Sequence, residues 1–407
     1  MTAIAGCRAC GCARLEAVLS LGDMPLVNVL LDDVNEKADR FPLDVVRCPR
    51  CTLVQITETI PPDLLFREYA YFSSFSDTFL AHARAFAARM RAELELGPGS
   101  LVIEAASNDG YLLRFFAEEG IPVLGIEPAR NVAAVASGHG IETVPEFLNA
   151  EVARTIVANR SRRADLVVAN NVLAHVADLH GFVGALATLV GDTGLISVEV
   201  PHVCELIDRV EFDTIYHEHL CYFSLTALVR LFAEHALTVV DVEPLLVHGG
   251  SLRVLARAGG SPSPAVAALL EREEKWGVEH GPRYQEFAST VESLRKSIGS
   301  TVRDLVAAGE RVAGYGAAAK AVVLLNTCGL DRSVVDYVVD RNPYKQGKFL
   351  PGVRIPVRSP DALLETRPGF VIIFVWNVAT EVIEQQRPYL QGGGHFVIPV
   401  PELRVVA

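Results

Sequence analysis

Residues 101–128 read Leu-Val-Ile-Glu-Ala-Ala-Ser-Asn-Asp-Gly-Tyr-Leu-Leu-Arg-Phe-Phe-Ala-Glu-Glu-Gly-Ile-Pro-Val-Leu-Gly-Ile-Glu-Pro, and this stretch decides the fold. The apolar runs 101–105 and 123–126 are each long enough for one buried strand, and 111–119 has the spacing of a helix. Strand, tight turn, helix and strand in this order predict the first βαβ unit of a doubly wound sheet that binds a dinucleotide or a nucleoside. Glu127 ends the second strand, where a carboxylate can accept hydrogen bonds from ribose hydroxyls.

The turn of this unit indicates the charge of its ligand. A pyrophosphate needs several glycines for close backbone approach, yet this turn has one late glycine, Gly110, and two acids, Glu104 and Asp109. Acids repel phosphates and attract cations, so S-adenosylmethionine, with its sulfonium, amino group and ribose, fits better than NAD. A βαβ unit without a ligand would show the same local pattern. The residues predicted to bind the cofactor are Glu104, Ser107, Asn108, Asp109, Gly110, Glu127, Pro128, Asn170 and Asn171.

The composition is that of an ordinary globular chain. Its 407 residues suffice for two or three domains, and 50% of them are hydrophobic while 21% are charged. The net charge of −12, with no basic run, argues against nucleic acid as a partner. The apolar stretches are of strand length, so we expect no membrane span, and the lack of a secretory leader pattern favours the cytoplasm. The oligomeric state stays open, and a monomer is compatible with the sequence.

Five of the eight cysteines lie in the first 51 residues. Cys7-Arg-Ala-Cys10 and Cys48-Pro-Arg-Cys51 are CxxC pairs, and clustered cysteines in a cytosolic chain are typical of metal ligands rather than disulfides. The two-residue spacing puts both thiolates on one side of a turn, as tetrahedral zinc requires. We therefore predict a structural Zn²⁺ on Cys7, Cys10, Cys48 and Cys51, with Cys12 as an alternative to Cys10 and unligated thiols as the alternative to metal. Four thiolates leave no open position for catalysis by the ion.

Polar residues follow the later strands of the predicted sheet. The run 165–170 is a strand that leads into Asn170-Asn171-Val-Leu-Ala-His175, and 194–200 is the strand after it. Ligands bind beyond the carboxyl ends of parallel strands, so these residues are placed to meet one. A lone histidine after a strand is more often structural than catalytic, and His175 therefore needs support from elsewhere in the chain.

That support comes from Tyr216-His217-Glu218-His219, four titratable groups in a row. A helical turn would put Tyr216 and His219 on one face, at positions i and i+3. An extended segment would instead put His217 and His219 on one face, where they could bind a metal, although HExxH spacing is absent. Proton chemistry is the better interpretation, because histidine titrates near neutral pH and tyrosine can stabilise an enolate.

A second nucleotide-type unit is predicted near the C-terminus. Residues 311–320, Arg-Val-Ala-Gly-Tyr-Gly-Ala-Ala-Ala-Lys, indicate a strand, a glycine turn and a helix, and 334–339 is a strand that ends in Asp340. Unlike the first turn, this one has glycines and a lysine, so it can cradle phosphate. A purely structural βαβ unit would look the same.

Together these segments resemble one family, the S-adenosylmethionine-dependent C-methyltransferases that act on dTDP-linked keto-deoxysugars in antibiotic pathways. The resemblance spans essentially the whole chain. Its motifs, in order, are the two CxxC pairs, Tyr71-Phe-Ser-Ser, Ser107-Asn-Asp-Gly-Tyr-Leu-Leu, Gly125-Ile-Glu-Pro, Asn171-Val-Leu-Ala-His, Tyr216-His-Glu-His, His248-Gly-Gly-Ser-Leu-Arg and Gly314-Tyr-Gly-Ala-Ala-Ala-Lys.

The resemblance implies an α/β protein of three domains. These would be a zinc-binding domain at 1–70 and a Rossmann-like methyltransferase domain at 71–258. After a linker and exposed helix at 259–283, a C-terminal Rossmann-like domain at 284–407 would bind the nucleotide-sugar. A long helix is expected to begin near 284.

The resemblance also implies a mechanism. A 4-keto group acidifies the neighbouring C–H, a base removes that proton, and the enolate carbon, most commonly C-3, attacks the sulfonium methyl in line. The Tyr-x-Glu-His motif implies His219 as the base and Tyr216 as its partner or as the enolate stabiliser. The expected catalytic set is His219, Tyr216, Glu218, His175 and Tyr71.

Substrate contacts are expected on both sides of the linker. Residues 247–254 should precede or begin an edge strand, with two glycines that allow close backbone approach. Ala106 stands where relatives often carry a glycine, so we expect a modest shift of the loop without loss of binding. The predicted substrate-binding residues are Tyr222, His248, Ser251, Arg253, Gly314, Tyr315, Gly316, Lys320 and Asp340.

Three other functions fit parts of the sequence. A base also serves methyl transfer to oxygen or nitrogen, although the second nucleotide-type unit favours an acceptor carried on a nucleotide. An NAD-dependent oxidoreductase is kept open by the glycine turn 314–316 and by Asp340, about twenty residues further on. A zinc-dependent interaction module without catalysis would leave the clustered Tyr216, Glu218 and His219 unexplained.

Overall fold

The computed structural model describes residues 1–67, 69, 72–246 and 249–407. Among these residues it contains sheets of four, seven and six strands and one two-stranded ribbon. The two larger sheets carry helices on their faces, and the four-stranded sheet belongs to the N-terminal part of the chain. The predicted α/β class, with two Rossmann-like sheets and a separate N-terminal unit, is confirmed.

The N-terminal unit is built from antiparallel strands. Strands β2, β3 and β4 follow each other in one sheet, and β1 pairs with β5 in the ribbon. The bounds are β1 Thr2–Ala3, β2 Glu16–Pro25, β3 Arg40–Arg47, β4 Val54–Ile56 and β5 Glu58–Thr59.

The central unit holds the seven-stranded sheet in the order β12-β13-β10-β9-β6-β7-β8. Its elements are α1 Pro62–Phe66, α2 Asp77–Glu93, β6 Val102–Ala105, α3 Leu113–Ala117, β7 Val123–Ile126, α4 Arg130–Gly138, β8 Thr143–Val144, α5 Ala150–Arg160, β9 Ala164–Asn170, α6 Leu179–Leu189, β10 Val190–Pro201, α7 Val203–Asp208, β11 Cys221–Tyr222, α8 Leu225–Ala233, β12 Leu237–Leu245 and β13 Ser251–Ala258.

The opening βαβ unit forms as predicted, with β6 and β7 parallel and adjacent. Helix α3 is shorter than the predicted 111–119, because the chain is still turning at Gly110 and turns again at Gly120, both with positive φ. The prediction of an edge strand after residue 247 is wrong. Strand β13 lies between β10 and β12 and pairs antiparallel with both, so its side chains have neighbours on two sides.

Strand β11 leaves the central unit and joins the N-terminal sheet. Cys221 pairs with Gln55 and Tyr222 with Val54, both in antiparallel register on β4. Because β11 comes directly after the Tyr216–His219 segment, that segment is fixed to the zinc-binding unit by backbone hydrogen bonds.

The linker region contains helix α9, Pro264–Trp276, which was expected to be exposed. One face of this helix is in fact buried, and it includes Val266, Leu269 and Glu273. The Glu273 carboxylate accepts hydrogen bonds from the backbone N–H groups of Leu225 and Thr226, at 2.6 and 2.8 Å. These are free donors at the start of α8, so α9 is held against the central unit.

The C-terminal unit holds the six-stranded sheet in the order β16-β15-β14-β17-β18-β19, parallel except for β19. Its elements are α10 Pro282–Ala307, β14 Val312–Tyr315, α11 Ala319–Cys328, β15 Val338–Val339, β16 Val357–Arg358, α12 Ala362–Thr366, β17 Phe370–Ile373, α13 Ala379–Gln385, α14 Arg387–Gln391, β18 His395–Ile398 and β19 Arg404–Val406.

Candidate active site

One large cavity, of about 1440 Å³, lies where the three units meet. The N-terminal unit lines it with Asn28, and the C-terminal unit lines it with Lys320, Arg341 and Lys345 among others. The predicted site residues that the structure brings together here are Asn108, Glu127, Pro128, Asn170, Asn171, His175, Tyr216, Glu218, His219, Tyr222, Lys320 and Asp340.

Other predicted site residues lie outside the wall of this cavity. The structure places them behind it, in the sheets and in the turn that follows β6. They are Glu104, Ser107, Asp109, Gly110, Ser251, Arg253, Gly314, Tyr315 and Gly316. Tyr71 and His248, predicted to be catalytic and substrate-binding, fall outside the described residues.

Glu127 occupies the predicted place at the end of β7. Its Oε2 accepts a hydrogen bond from the Asn108 N–H at 2.9 Å, and its Oε1 accepts one from the Ala129 N–H at 2.8 Å. Burial raises the pKa of this carboxyl to about 7, although the two N–H donors oppose the shift. Each oxygen retains a second lone pair, so the carboxylate can still accept bonds from a ribose diol.

The loop after β6 uses its polar side chains to hold a neighbouring segment. Asn108 Oδ1 accepts from the Ser73 N–H at 2.9 Å, and Asp109 Oδ2 accepts from the Ser74 hydroxyl. These two side chains therefore position residues 73–74. Ala106 lies in the left-handed region, at φ 54°, where glycine is unstrained, so the methyl group is tolerated at a modest cost in strain.

The cofactor end of the cavity contains polar atoms that need partners. Asn170 Oδ1 and Asn171 Nδ2 are buried in its wall and have no hydrogen-bond partner in the described part of the chain. Glu104 is buried nearby, and the charges of Glu127 and Asp109 raise its pKa further. Unpaired buried polar groups are costly, and a cation placed here would favour the ionised form of carboxyls whose pKa is otherwise raised. The residues present therefore fit S-adenosylmethionine, with Glu127, Asn170 and Asn171 placed to hold it.

We expect Glu127→Gln to weaken S-adenosylmethionine binding about 10- to 100-fold, because an amide cannot accept from both N–H groups and the ribose. In the unsubstituted protein, affinity should rise as pH increases through 7, since the carboxyl with a raised pKa then ionises. Calorimetric titration at several pH values measures both effects. Glu151→Gln, an exposed acid on α5, is the matched control. Equal affinity in both variants would remove Glu127 from the ribose site.

Tyr216 and His219 form a hydrogen-bonded pair at the centre of the cavity wall. The Tyr216 hydroxyl lies 2.8 Å from His219 Nε2, and His219 Nδ1 lies 2.8 Å from the Thr214 carbonyl oxygen. A carbonyl oxygen can only accept, so Nδ1 carries the proton of the neutral ring. The tyrosine then donates to Nε2, whose lone pair is the basic site. The segment is a turn, closed by the His219 N–H to the Tyr216 carbonyl at 2.9 Å.

His217 faces away from this pair. Its Nε2 lies 3.0 Å from the Pro42 carbonyl oxygen of the N-terminal unit, and its ring meets Phe41 edge-on. The two histidines are therefore not on one face, and the geometry does not favour a shared metal.

His175 lies beside His219, with ring centroids 4.9 Å apart. Burial lowers the pKa of His175 to about 4, so the ring is neutral at physiological pH. A neutral imidazole next to the Tyr216–His219 pair can donate or accept a hydrogen bond without adding charge. The ring of Tyr222 is a further neighbour of His219, at 6.4 Å.

The C-terminal unit contributes cations to the cavity wall, and nearby acids partly balance their charges. Lys320 Nζ donates to Asn377 Oδ1 at 2.7 Å and lies 4.0 Å from the centre of the Trp376 ring. Burial lowers the pKa of Lys320, while the charges of Asp213 and Glu211 in the central unit oppose that shift. Lys320 thus bonds to its own unit, is influenced by the acids of the central unit, and lines the cavity.

Asp340 and the glycine turn support each other. Asp340 accepts from the N–H groups of Ala317 and Asn342, both at 2.8 Å, so its two oxygens hold the turn. A Cβ at Gly314 would lie 2.4 Å from the Phe374 ring, so this glycine is needed for packing. Tyr315 points into the core of the C-terminal unit. The predicted phosphate turn is therefore closely tied to its own sheet.

Arg253 belongs to a buried ion-pair network. Its Nη2 donates to Glu199 Oε1 at 2.5 Å and its Nη1 to Glu243 at 2.9 Å, while His82 also lies within 3.1 Å of Glu199. Because its donors are directed to these acids, Arg253 supports helix α2 and the sheet from behind the cavity.

The four cysteines of the two CxxC pairs converge. All four Sγ atoms lie within 4.8 Å of one another, with Cys7 and Cys51 3.4 Å apart and Cys10 and Cys48 3.5 Å apart. Zn–S bonds of about 2.3 Å in a tetrahedron place sulfurs about 3.8 Å apart, so the cluster fits the ion. Cys12 is separate, with its thiol directed to the Arg14 carbonyl.

Comparisons with known proteins agree with this architecture. Residues 7–66 match the family described as "Putative zinc binding domain", 77–242 match "Methyltransferase domain" and 246–401 match "C-methyltransferase C-terminal domain". The fold and site thus define an S-adenosylmethionine-dependent methyltransferase with a zinc-binding unit.

The relatives narrow this class. The chain is 40% identical over 406 residues to C-methyltransferase NovU of Streptomyces niveus, covering 98% of this chain and 96% of the relative. It therefore belongs to the C-methyltransferase family. A ubiquinone biosynthesis O-methyltransferase of Methylobacterium sp. (strain 4-46) is 33% identical over 126 residues, 30% of this chain and 50% of that protein.

One solved structure that resembles this chain matches less than half of it. Magnesium protoporphyrin IX methyltransferase from Synechocystis PCC 6803 with bound SAM shares 14% identity at a TM-score of 0.33, covering 44% of this chain and 78% of that one.

Within the described residues, no helix combines the length and apolarity that a membrane span needs.

The structure also reveals a site residue that the sequence analysis missed. Asn28 of the N-terminal unit lines the cavity and contacts Glu218, which is 190 positions away in the chain. It follows β2 as the one polar residue of the apolar run 26–31, Leu-Val-Asn-Val-Leu-Leu, and nothing in that run identifies Glu218 as its partner.

Proposed function

We propose that this protein transfers the methyl group of S-adenosylmethionine to a ring carbon, C-3, of a dTDP-linked 4-keto-deoxysugar in an antibiotic deoxysugar pathway. The observation that carries the proposal is the Tyr216–His219 pair, with its basic nitrogen in the wall of a cavity between two Rossmann-like units. One unit fits the cofactor, and the other can accept a nucleotide.

The proposed reaction begins with the acceptor carbon. S-adenosylmethionine supplies a methyl group that already sits on a cation, so the protein must deprotonate the acceptor and align it. When the Tyr216 hydroxyl turns its hydrogen from His219 Nε2 to the ketone oxygen, the Nε2 lone pair is free to take the proton next to the ketone, and Nδ1–H remains bonded to the Thr214 carbonyl. The resulting imidazolium and the Tyr216 hydroxyl both lie where they can stabilise the enolate oxygen.

The size of the cavity supports a nucleotide-carried substrate. A volume of about 1440 Å³ exceeds what the cofactor and a monosaccharide need, since ordinary ligand sites span roughly 300–1,000 Å³. Arg341 and Lys345 line the C-terminal end, with Lys320 beside them. These cations suit a diphosphate, and the ketosugar would then extend towards His219.

The remaining parts of the proposal concern the setting. A site of four thiolates suits a reducing compartment such as the cytoplasm. The net charge of −12 disfavours binding to a polyanion such as nucleic acid. We propose that the chain acts without nucleic acid or a membrane, and that a monomer is sufficient for activity.

Proton exchange at the acceptor carbon tests the function directly. The protein is incubated in D₂O with S-adenosylhomocysteine and a dTDP-4-keto-deoxysugar, and deuterium uptake is followed by NMR. We expect protein-dependent exchange at C-3, lost in His219→Ala and kept in His139→Ala, an exposed histidine on the surface. Methyl transfer without any exchange would instead favour an oxygen or nitrogen acceptor. Neither exchange nor transfer would overturn the substrate class.

A further inference from the structure

The zinc-binding unit reaches the cavity through Asn28. Its side-chain Nδ2 lies 2.8 Å from both carboxylate oxygens of Glu218, and the Tyr69 hydroxyl lies 3.4 Å from one of them. An ionised carboxylate accepts hydrogen bonds and cannot donate them, so the Asn28 amide turns its NH₂ group, the donor, towards Glu218. Asn28 therefore favours the charged form of Glu218.

The same unit fixes the rest of the turn. His217 is held by the Pro42 carbonyl, and the Leu220 carbonyl accepts from the Ile56 N–H at 3.0 Å, directly before the β4–β11 pairing. His217, Glu218 and Leu220 thus face the zinc-binding unit. Tyr216 and His219 are left to face each other in the cavity.

Glu218 is in an environment that disfavours its charge. Its side chain is buried, and burial raises its pKa to about 7, against the effects of Asn28, Tyr69 and Lys345. Among the residues that the structure describes, Tyr69 and Lys345 are ionisable groups that face the carboxylate, and the His175 ring faces its backbone carbonyl. Small changes in its partners therefore decide whether it is ionised near neutral pH.

We propose that Asn28 is a positioning residue that keeps the Glu218 carboxylate fixed and ionised beside Tyr216 and His219, so that the zinc-binding unit completes the active site. The proposal rests on the proposed function, because the consequence of the negative charge is catalytic. A carboxylate in this wall favours the imidazolium that His219 becomes when it takes a proton. Loss of that charge makes His219 a weaker base.

The test is the pH dependence of turnover in Asn28→Ala, with Val29→Ala, an exposed neighbour, as the matched control. The acidic limb of kcat is expected to follow the ionisation of Glu218, and its midpoint should move upward by about one to two pH units, since a lost bond to the charged carboxylate raises the pKa of Glu218 by about that much. Raising the pH should restore the rate. Asn28→Asp, of the same shape, should shift the midpoint further because it adds a like charge.

Glu218→Gln separates this role from simple packing. This variant should be slow at every pH, and adding Asn28→Ala to it should cause no further shift. An Asn28→Ala profile that is lower at all pH values, with an unchanged midpoint, would overturn the proposal. Unchanged cofactor affinity, measured by calorimetry, shows that each variant is folded.

A second readout does not depend on the substrate. The infrared carboxylic-acid band that disappears in Glu218→Gln belongs to Glu218, and its titration can be followed in the cofactor-bound protein. We expect its midpoint to be higher in Asn28→Ala than in the unsubstituted protein, and equal midpoints would overturn the proposal. If the unsubstituted protein does not methylate the ketosugar, the proposed function fails while this titration still decides the role of Asn28.

Discussion

His219→Ala is expected to cut turnover by about 10²- to 10⁴-fold while leaving S-adenosylmethionine affinity nearly unchanged. His219 supplies the basic nitrogen of the Tyr216–His219 pair, and its orientation is fixed by the Tyr216 hydroxyl and the Thr214 carbonyl. It is not among the residues proposed to bind the cofactor, so its loss should not weaken that binding. Methyl transfer from labelled S-adenosylmethionine measures the turnover, and calorimetry measures the affinity.

Tyr216→Phe is the companion variant, because it keeps the ring and removes the hydroxyl that contacts Nε2 at 2.8 Å. We expect a loss of about 10²-fold, as for removal of one donor to a developing oxyanion. His139→Ala should retain full turnover. If His219→Ala matches that control, His219 is not the base, and the neutral His175 beside it becomes the group to test.

The cofactor half of the site could be predicted from sequence because its signals are local. A strand, a turn and a helix within thirty or so residues fix where the strand ends, and Glu127 takes its place from that position alone. Asn170 and Asn171 follow from the same rule at the end of β9. The pairing of Tyr216 with His219 also needs only an i, i+3 turn.

The rest of the site depends on contacts between distant parts of the chain. Asn28 meets Glu218 across 190 positions, and β11 adds to a sheet whose other strands end by residue 56. Asn28 stands out as the one polar residue of the apolar run 26–31, but no spacing or periodicity identifies either partner. Arg253 stands out in the sequence, next to two glycines, and was predicted to bind substrate. Its guanidinium instead donates to Glu199, a partner that sequence spacing does not identify.

The glycines of the second unit show why one signal has two meanings. Gly314 and Gly316 look like a phosphate turn, and both positions also bring the backbone close to Phe374 and Val375. A glycine needed for packing and a glycine needed for a ligand are identical in sequence. The choice between them depends on the neighbouring strand, which lies about sixty residues further along the chain.

Removal of the zinc site is expected to abolish methyl transfer even though the ion is not placed for catalysis. Cys10→Ser and Cys48→Ser each leave three thiolates, and metal-coupled folding of such small units is worth about 10–16 kcal/mol, more than the unit can supply otherwise. When the N-terminal sheet is lost, β11 loses its partner strand and Glu218 loses Asn28. The turn at residues 216–219, which we propose to be catalytic, then has no fixed position.

The central sheet, which we expect to bind S-adenosylmethionine, does not depend on the zinc site. Turnover and cofactor affinity should therefore respond differently when zinc is lost. Cys10→Ser should lose bound zinc and turnover, while S-adenosylmethionine still binds with an affinity reduced by less than about 10-fold, because Glu127, Asn170 and Asn171 belong to the central sheet. Cys12→Ser is the matched control, since its thiol lies outside the cluster of four. It should keep one zinc per chain and full activity. Full turnover in zinc-free Cys10→Ser would show that the turn at residues 216–219 holds its geometry without the folded N-terminal unit, and that the reaction does not depend on the metal.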